Sequence, residues 1–304
     1  MDKPRIKLNS KKTTSENLFS YLFDNIPGIP DPWKQSFFNS VDTAVAYEPV
    51  IGVMGKTGAG KSSLCNAIFK GDICQTNDVE ACTREIKELK VNFNGRTLKI
   101  IDIPGVGESS SRDKEYEDLY RDLLPKLDIV IWVIKGDDRA FSSDEYFYKN
   151  VLEPAGGRAK TIFVINQADK IEPFREWDIT NSLPSPSQLK NIKTKKDDIT
   201  SRLGFTTHPI IAVSANEGYH IEELVETMIR ALPSHAKSGV TSQLKEEYKS
   251  ERIIEEAKDG FGDTVGNIVD SIIDIAPKPI ASIAKLAKNL VVNTAKKVWG
   301  FFFR

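Results

Sequence analysis

The stretch Gly55-Lys56-Thr57-Gly58-Ala59-Gly60-Lys61-Ser62 satisfies G-x-x-x-x-G-K-[ST] at every fixed position. Its chemistry is that of an anion cradle. Glycines let successive backbone N–H groups turn inward, and a helix starting at the end of the loop adds its partial positive charge. In that setting Lys61 reaches the outer phosphates of a nucleotide, and the Ser62 hydroxyl ligates Mg²⁺. A plain glycine-rich turn could share the spacing, so the flanks matter. Pro49 to Met54 reads as a short buried strand, and Ser63 to Phe69 has the composition of an amphipathic helix. Strand, loop and helix follow in the order a phosphate site needs.

Four further pieces narrow the ligand. Asp102-Ile103-Pro104-Gly105 ends a predicted strand, where a carboxylate can hold Mg²⁺ through water and a glycine N–H can touch a γ-phosphate. Asn166-Gln167-Ala168-Asp169 ends another. A carboxylate there can accept both the N1–H and N2–H of guanine, a pair adenine does not present. Ser214-Ala215-Asn216 ends the next strand and offers a backbone N–H for the guanine O6. Thr83, favoured over Thr76 by the adjoining Arg84 and the strand that follows, is placed to cap Mg²⁺ when a γ-phosphate is present. Each piece taken singly has an ordinary alternative, a strand-end turn or a helix-capping loop. Their order along the chain is what selects the ligand.

Together these residues resemble the five signature motifs of the translation-factor-class GTPases. Within that class the chain is similar to the Era-like branch, and in detail to the bacterial YfjP/YeeP kind, over residues 48–233. The resemblance implies a P-loop NTPase three-layer sandwich with a mostly parallel six-stranded sheet, its 85–93 strand antiparallel at one edge. It implies that Gly55, Lys56, Thr57, Gly58, Ala59, Gly60, Lys61, Ser62 and Ser63 hold the phosphates, with Asp102 and Gly105. Asn166, Gln167, Asp169, Ser214, Ala215 and Asn216 then hold the guanine. Ser62, Thr83 and Asp102 would ligate Mg²⁺, and Lys61, Thr83 and Gly105 would act on the γ-phosphate of bound GTP. The implied activity is Mg²⁺-dependent hydrolysis of GTP to GDP and phosphate by a nucleotide-controlled switch. The rival is a GTP-gated scaffold or membrane-associated assembly protein of low turnover.

Three positions depart from that pattern. Gln167 stands where a lysine usually lies over the guanine ring. Val106 follows Gly105, where many such switches place a water-orienting glutamine, and a valine cannot direct water by hydrogen bonding. Turnover should therefore be slow without a partner, with Arg112 and Arg84 as candidates to supply charge in cis. Gly58 has no side chain to help hold an activating potassium ion.

The elements that must position these residues alternate along the chain. Strands are expected at 85–93, 97–103, 128–134, 160–165 and 209–213, with helices around 116–124, 142–152, 188–203 and 221–232. That rhythm gives an α/β fold with a mostly parallel sheet. Short helical segments at 15–23 and 33–46 precede it, separated by a Pro-Gly-Ile-Pro-Asp-Pro cluster. The expected division is a helical extension over 1–47, a GTPase domain over 48–233 and a helical region over 234–304.

In the last region a charged helix over 242–258 should be broken by Gly260-Phe261-Gly262. Residues 278–304 carry six basic and no acidic side chains and end in Trp299-Gly300-Phe301-Phe302-Phe303-Arg304. This composition suits an anionic membrane surface or a helix packed on the protein, with the last dozen residues favoured as exposed. Self-association is left open, and no RNA-binding motif is visible.

Composition adds exclusions. The 304 residues carry a net charge of −1, so no global field steers the chain to nucleic acid. Three cysteines form no CxxC pair, and three histidines show no ligand spacing. No apolar run approaches the roughly 18 residues of a spanning helix. No secretory signal is seen, and the expected location is the cytoplasm, with the inner membrane periphery as the option the tail leaves.

Overall fold

The computed structural model describes residues 15–70, 87–93, 96–102, 120–154, 161–204 and 207–303. Thr76, Thr83, Arg84, Gly105, Val106 and Arg112 lie outside the described residues. Within them the chain divides into two compact units, one over 48–232 and 243–253, the other over 15–47, 233–242 and 254–303.

The first unit is a six-stranded sheet. Its strands are β1 (Val50–Met54), β2 (Lys87–Phe93), β3 (Arg96–Asp102), β4 (Ile129–Lys135), β5 (Thr161–Asn166) and β6 (Ile210–Ala212), in the spatial order β2-β3-β1-β4-β5-β6. Every pair is parallel except the β2–β3 hairpin, whose register brings Phe93 opposite Arg96 across a two-residue connection. β4 and β5 are apolar on both faces, with Ile129–Ile134 and Thr161–Asn166 all buried. That is the pattern of central strands covered by helices on each side. The flanking helices are α3 (Lys61–Ile68), α4 (Ser142–Phe147), α5 (Pro186–Leu203) and α6 (Ile221–Ala231). Residues 120–123 are helical as well.

The sequence explains where these helices begin and end. α5 opens with a capping box in which Ser185 and Gln188 exchange side-chain and backbone hydrogen bonds. It stops at Gly204, whose φ of 66° supplies the left-handed cap. The expected α/β layering with one antiparallel edge strand is what the chain adopts.

The second unit is helical. α1 (Ser15–Asp24), α2 (Asp31–Val45), α7 (Ser234–Gln243), α8 (Glu251–Ile275, from residue 254 onward) and α9 (Lys278–Phe303) contribute to it. One continuous core joins Phe19, Phe23, Phe37 and Val41 to Phe261, Val265, Val291, Trp299, Phe302 and Phe303.

Two expectations are corrected here. Gly260-Phe261-Gly262 does not break a helix, because α8 runs straight through it. A Cβ on Gly260 would stand 2.9 Å from the Ser234 carbonyl oxygen, and one on Gly262 2.6 Å from Lys296 Cε. These glycines give α7 and α9 their close approach, a packing use that outweighs their cost in a helix. The terminal aromatics are not exposed either. Trp299, Phe302 and Phe303 are 3%, 7% and 5% exposed, and only Phe301 faces outward. The Trp299 indole N–H donates to Ser238 Oγ at 2.9 Å, and Ser238 in turn donates to the Ala257 carbonyl.

Candidate functional site

The loop after β1 shows why its glycines are required. Gly55 has φ 138°, and a Cβ there would lie 2.1 Å from the Val133 carbonyl oxygen of β4. No side chain fits. Gly60 sits at φ 84° as the residue before α3, and a Cβ would lie 2.4 Å from Asn166 Nδ2. Gly58 is also left-handed, at φ 79°, but faces open space. The loop thus passes closely over β4 and the end of β5, and it needs bare backbone to do so. The Lys61 ammonium folds back over the loop and donates to the Gly55 carbonyl at 2.9 Å. Ser62 and Ser63 follow in the first turn of α3. β3 ends at Asp102, whose backbone pairs in register with Val53, so this strand end adjoins the start of the loop.

The end of β5 faces the same loop. Asn166 is buried, and its amide N–H donates to the Ala59 carbonyl at 3.0 Å and the Gly60 carbonyl at 3.2 Å. Its Oδ1 accepts from the Ala215 N–H at 3.1 Å. One side chain therefore fastens the phosphate loop to the Ser214–Ala215 turn. Gln167 stands in the left-handed region at φ 61° and donates from Nε2 to the Gly58 carbonyl at 3.0 Å, a second fastening. Asp169 is half-buried, and its Oδ1 accepts from Ser214 Oγ at 2.6 Å. The Ser214 hydroxyl oxygen also accepts from the Glu217 N–H at 3.3 Å, and paired backbone bonds between Ser214 and Tyr219 close the turn.

Two features went unseen in the sequence. Gln188 is fully buried, and its Nε2 donates to the Ile171 carbonyl at 3.0 Å and the Asp169 carbonyl at 3.4 Å, steadying the base loop from α5. The Lys56 side chain turns away from the loop interior to meet Asp138 and Asp144. Neither contact has a local signature, since each partner lies far away in the chain.

Sheet order and loops at the carboxy-terminal edge of the strands are those of a P-loop GTPase. The sequence profile of the 50S ribosome-binding GTPase family matches residues 50–167. The chain is 40% identical to YfjP of Escherichia coli strain K12 over 284 residues, 93% of this chain and 97% of that one. It is 41% identical to YkfA of the same strain over 291 residues, 95% and 99% of the two chains. A more distant relative is GTPase Era of Aquifex aeolicus strain VF5, 26% identical over 60% of this chain and 56% of that one. The chain therefore belongs to the YfjP/YkfA family of Era-like GTPases. It binds guanine nucleotide and is a GTP hydrolase.

Proposed function

We propose that the chain is a Mg²⁺-dependent GTPase whose nucleotide lies along the loops just described, phosphates at Gly55–Ser63 and guanine at Asn166–Asp169 and Ser214–Asn216. The observation that carries this reading is Asn166, which hydrogen-bonds the phosphate loop with one end of its amide and the Ser214–Ala215 turn with the other. The residues fit both groups. Gly55 and Gly60 let bare loop backbone run against the Val133 carbonyl and the Asn166 amide, where a Cβ would clash, and Gly58 between them faces open space, so loop N–H groups are left bare for an anion. The Asp169 carboxylate, held by Ser214, suits a base with two adjacent N–H donors. Because the Ala215 N–H already serves Asn166, the base O6 falls to the N–H of Asn216.

For the metal, Ser62 offers a hydroxyl in the first turn of α3, and β3 ends at Asp102 in register with Val53. Thr83 and Asp102 would complete the set with it. When held there, Mg²⁺ would supply positive charge to offset the phosphates. Lys61 and the loop N–H groups stabilise charge that develops on the γ-phosphoryl as water attacks in line, and the Gly105 N–H would add a contact to that phosphate. Hydrolysis of the bound GTP would then release Thr83 and Gly105, the action of a switch. Val106 cannot orient the water, so turnover without a partner is slow, the one feature that favours a GTP-gated scaffold.

Multiple-turnover phosphate release tests both points. The rate should collapse in excess EDTA, and Ser62→Ala should lower it by about 10²-fold, as for loss of one transition-state contact. Turnover that is indifferent to EDTA would overturn the Mg²⁺ assignment.

A further inference from the structure

Lys56 lies inside the phosphate loop, yet its side chain is used elsewhere. The ammonium stands 3.0 Å from Asp144 Oδ2 and 3.1 Å from Asp138 Oδ2, and it also donates to the Ala140 carbonyl. Asp144, on α4, is buried with 4% of its side chain exposed. Its other oxygen accepts the Trp132 indole N–H at 2.9 Å, inside the core of β4. Burying a carboxylate in such a place is costly unless a cation and a hydrogen bond replace its lost solvation. Lys56 is that cation. Burial alone would lower the Lys56 pKa, but the two carboxylates outweigh it and raise it, so the ammonium stays charged.

The 135–138 segment on the far side of this pair is held equally firmly. Lys195 of α5 donates to the carbonyls of Lys135, Gly136 and Asp138 at 3.0, 2.7 and 2.6 Å. The Gly136 N–H donates to the Asn166 carbonyl at 2.7 Å, and a Cβ on Gly136 would stand 2.6 Å from the Gln167 carbonyl oxygen. The segment is thus locked to the base loop. Asn166 and Gln167 already grip Ala59, Gly60 and Gly58 from the inner side. Lys56 is the matching grip on the outer side, near the start of the loop.

We propose that Lys56 and Asp144 are positioning residues for GTP hydrolysis, a partly buried ion pair that fixes the path of Gly55–Gly60 so that its N–H groups converge on the phosphates. The pair acts through the loop backbone, not by touching the nucleotide. It rests on the reading of Gly55–Ser62 as the phosphate site. In a chain whose base motif carries Gln167 instead of lysine, this pair supplies a charged fastening between loop and sheet that the motif itself does not.

The test uses the full chain with Lys56→Met, Lys56→Arg, Asp144→Asn and the double variant Lys56→Met/Asp144→Asn. Affinity for GDP, affinity for guanosine, kcat and KM for GTP, and Tm are measured for each. Lys56→Met should weaken GDP binding and kcat/KM by about 10²-fold, the loss expected for a misplaced reacting group. Guanosine, which lacks phosphates, should bind as before. Lys56→Arg should restore GDP affinity, because a guanidinium can serve both carboxylates. Asp144→Asn should impair GDP binding in the same sense, and the double variant should be no worse than the weaker single one, since both remove one interaction.

If Lys56→Met fails to fold because Asp144 is left unpaired, the double variant and Lys56→Arg carry the test. Multiplying effects in the double variant, or lowered Tm with GDP affinity intact throughout, would overturn the pair as a positioning device. Failure of the wild type to bind GDP would instead overturn the phosphate-loop reading beneath it.

Discussion

The two compact units satisfy their polar groups in opposite ways. In the sheet unit, buried Asn166, Gln188, Asp144 and Ser214 lie toward the carboxy-terminal edge of the strands and hydrogen-bond residues distant in the chain. In the helical unit the core is apolar and aromatic, and its charged pairs, Lys288 with Asp270 and Lys296 with Asp259, lie toward solvent. Buried polar contacts there, Trp299 to Ser238 to the Ala257 carbonyl and the Ser15 hydroxyl to the Phe38 carbonyl, end on helix carbonyls. A region that invests long-range hydrogen bonds in irregular backbone holds loops open for a ligand. A region that matches small residues to large ones is shaped to pack.

That contrast can be broken by mutation. Trp299→Ala removes the largest side chain of the helical core and should cost about 3–5 kcal/mol in urea unfolding. GDP affinity should stay at the wild-type value, because no residue of the nucleotide loops takes part in that core. A matching loss of GDP binding would show that the two units are not separable in this way. Gly260→Ala probes a smaller effect. In an ordinary helix interior this change stabilises by about 1 kcal/mol. Here the new methyl meets the Ser234 carbonyl, so the melting temperature should fall instead. A rise would mean that the glycine is an inherited weakness and not a packing device.

The same contrast explains what could be read from the chain beforehand. The antiparallel edge came with the family resemblance, while the mostly parallel sheet and the loops at Gly55, Asn166 and Ser214 were legible, because each rests on local spacing, apolar runs and then a turn of fixed residue types. The fastening of Lys56 to Asp144 was not. It joins residues 88 positions apart, read as 144 less 56, and neither has a local pattern. In the helical unit local rules misled. Glycine within a helix usually signals a break, and a basic tail with terminal aromatics suits an exposed interfacial helix. Both signals lost to tertiary packing, since α7 and α9 need the glycines and the core takes up Trp299, Phe302 and Phe303. Gln167 was legible as a departure from the lysine pattern, but only the fold showed its amide bonded to the Gly58 carbonyl.

The central claim is that Asp169, held by Ser214 beside a phosphate loop, selects guanine. The direct measurement is competition between GTP and ATP for the wild type and for Asp169→Ala. A site built to bond both guanine N–H groups should prefer GTP by about 10⁴-fold, and Asp169→Ala should erase most of that preference by weakening GTP alone. Equal affinity of the wild type for the two nucleotides, or a GTP preference untouched by Asp169→Ala, would contradict the account.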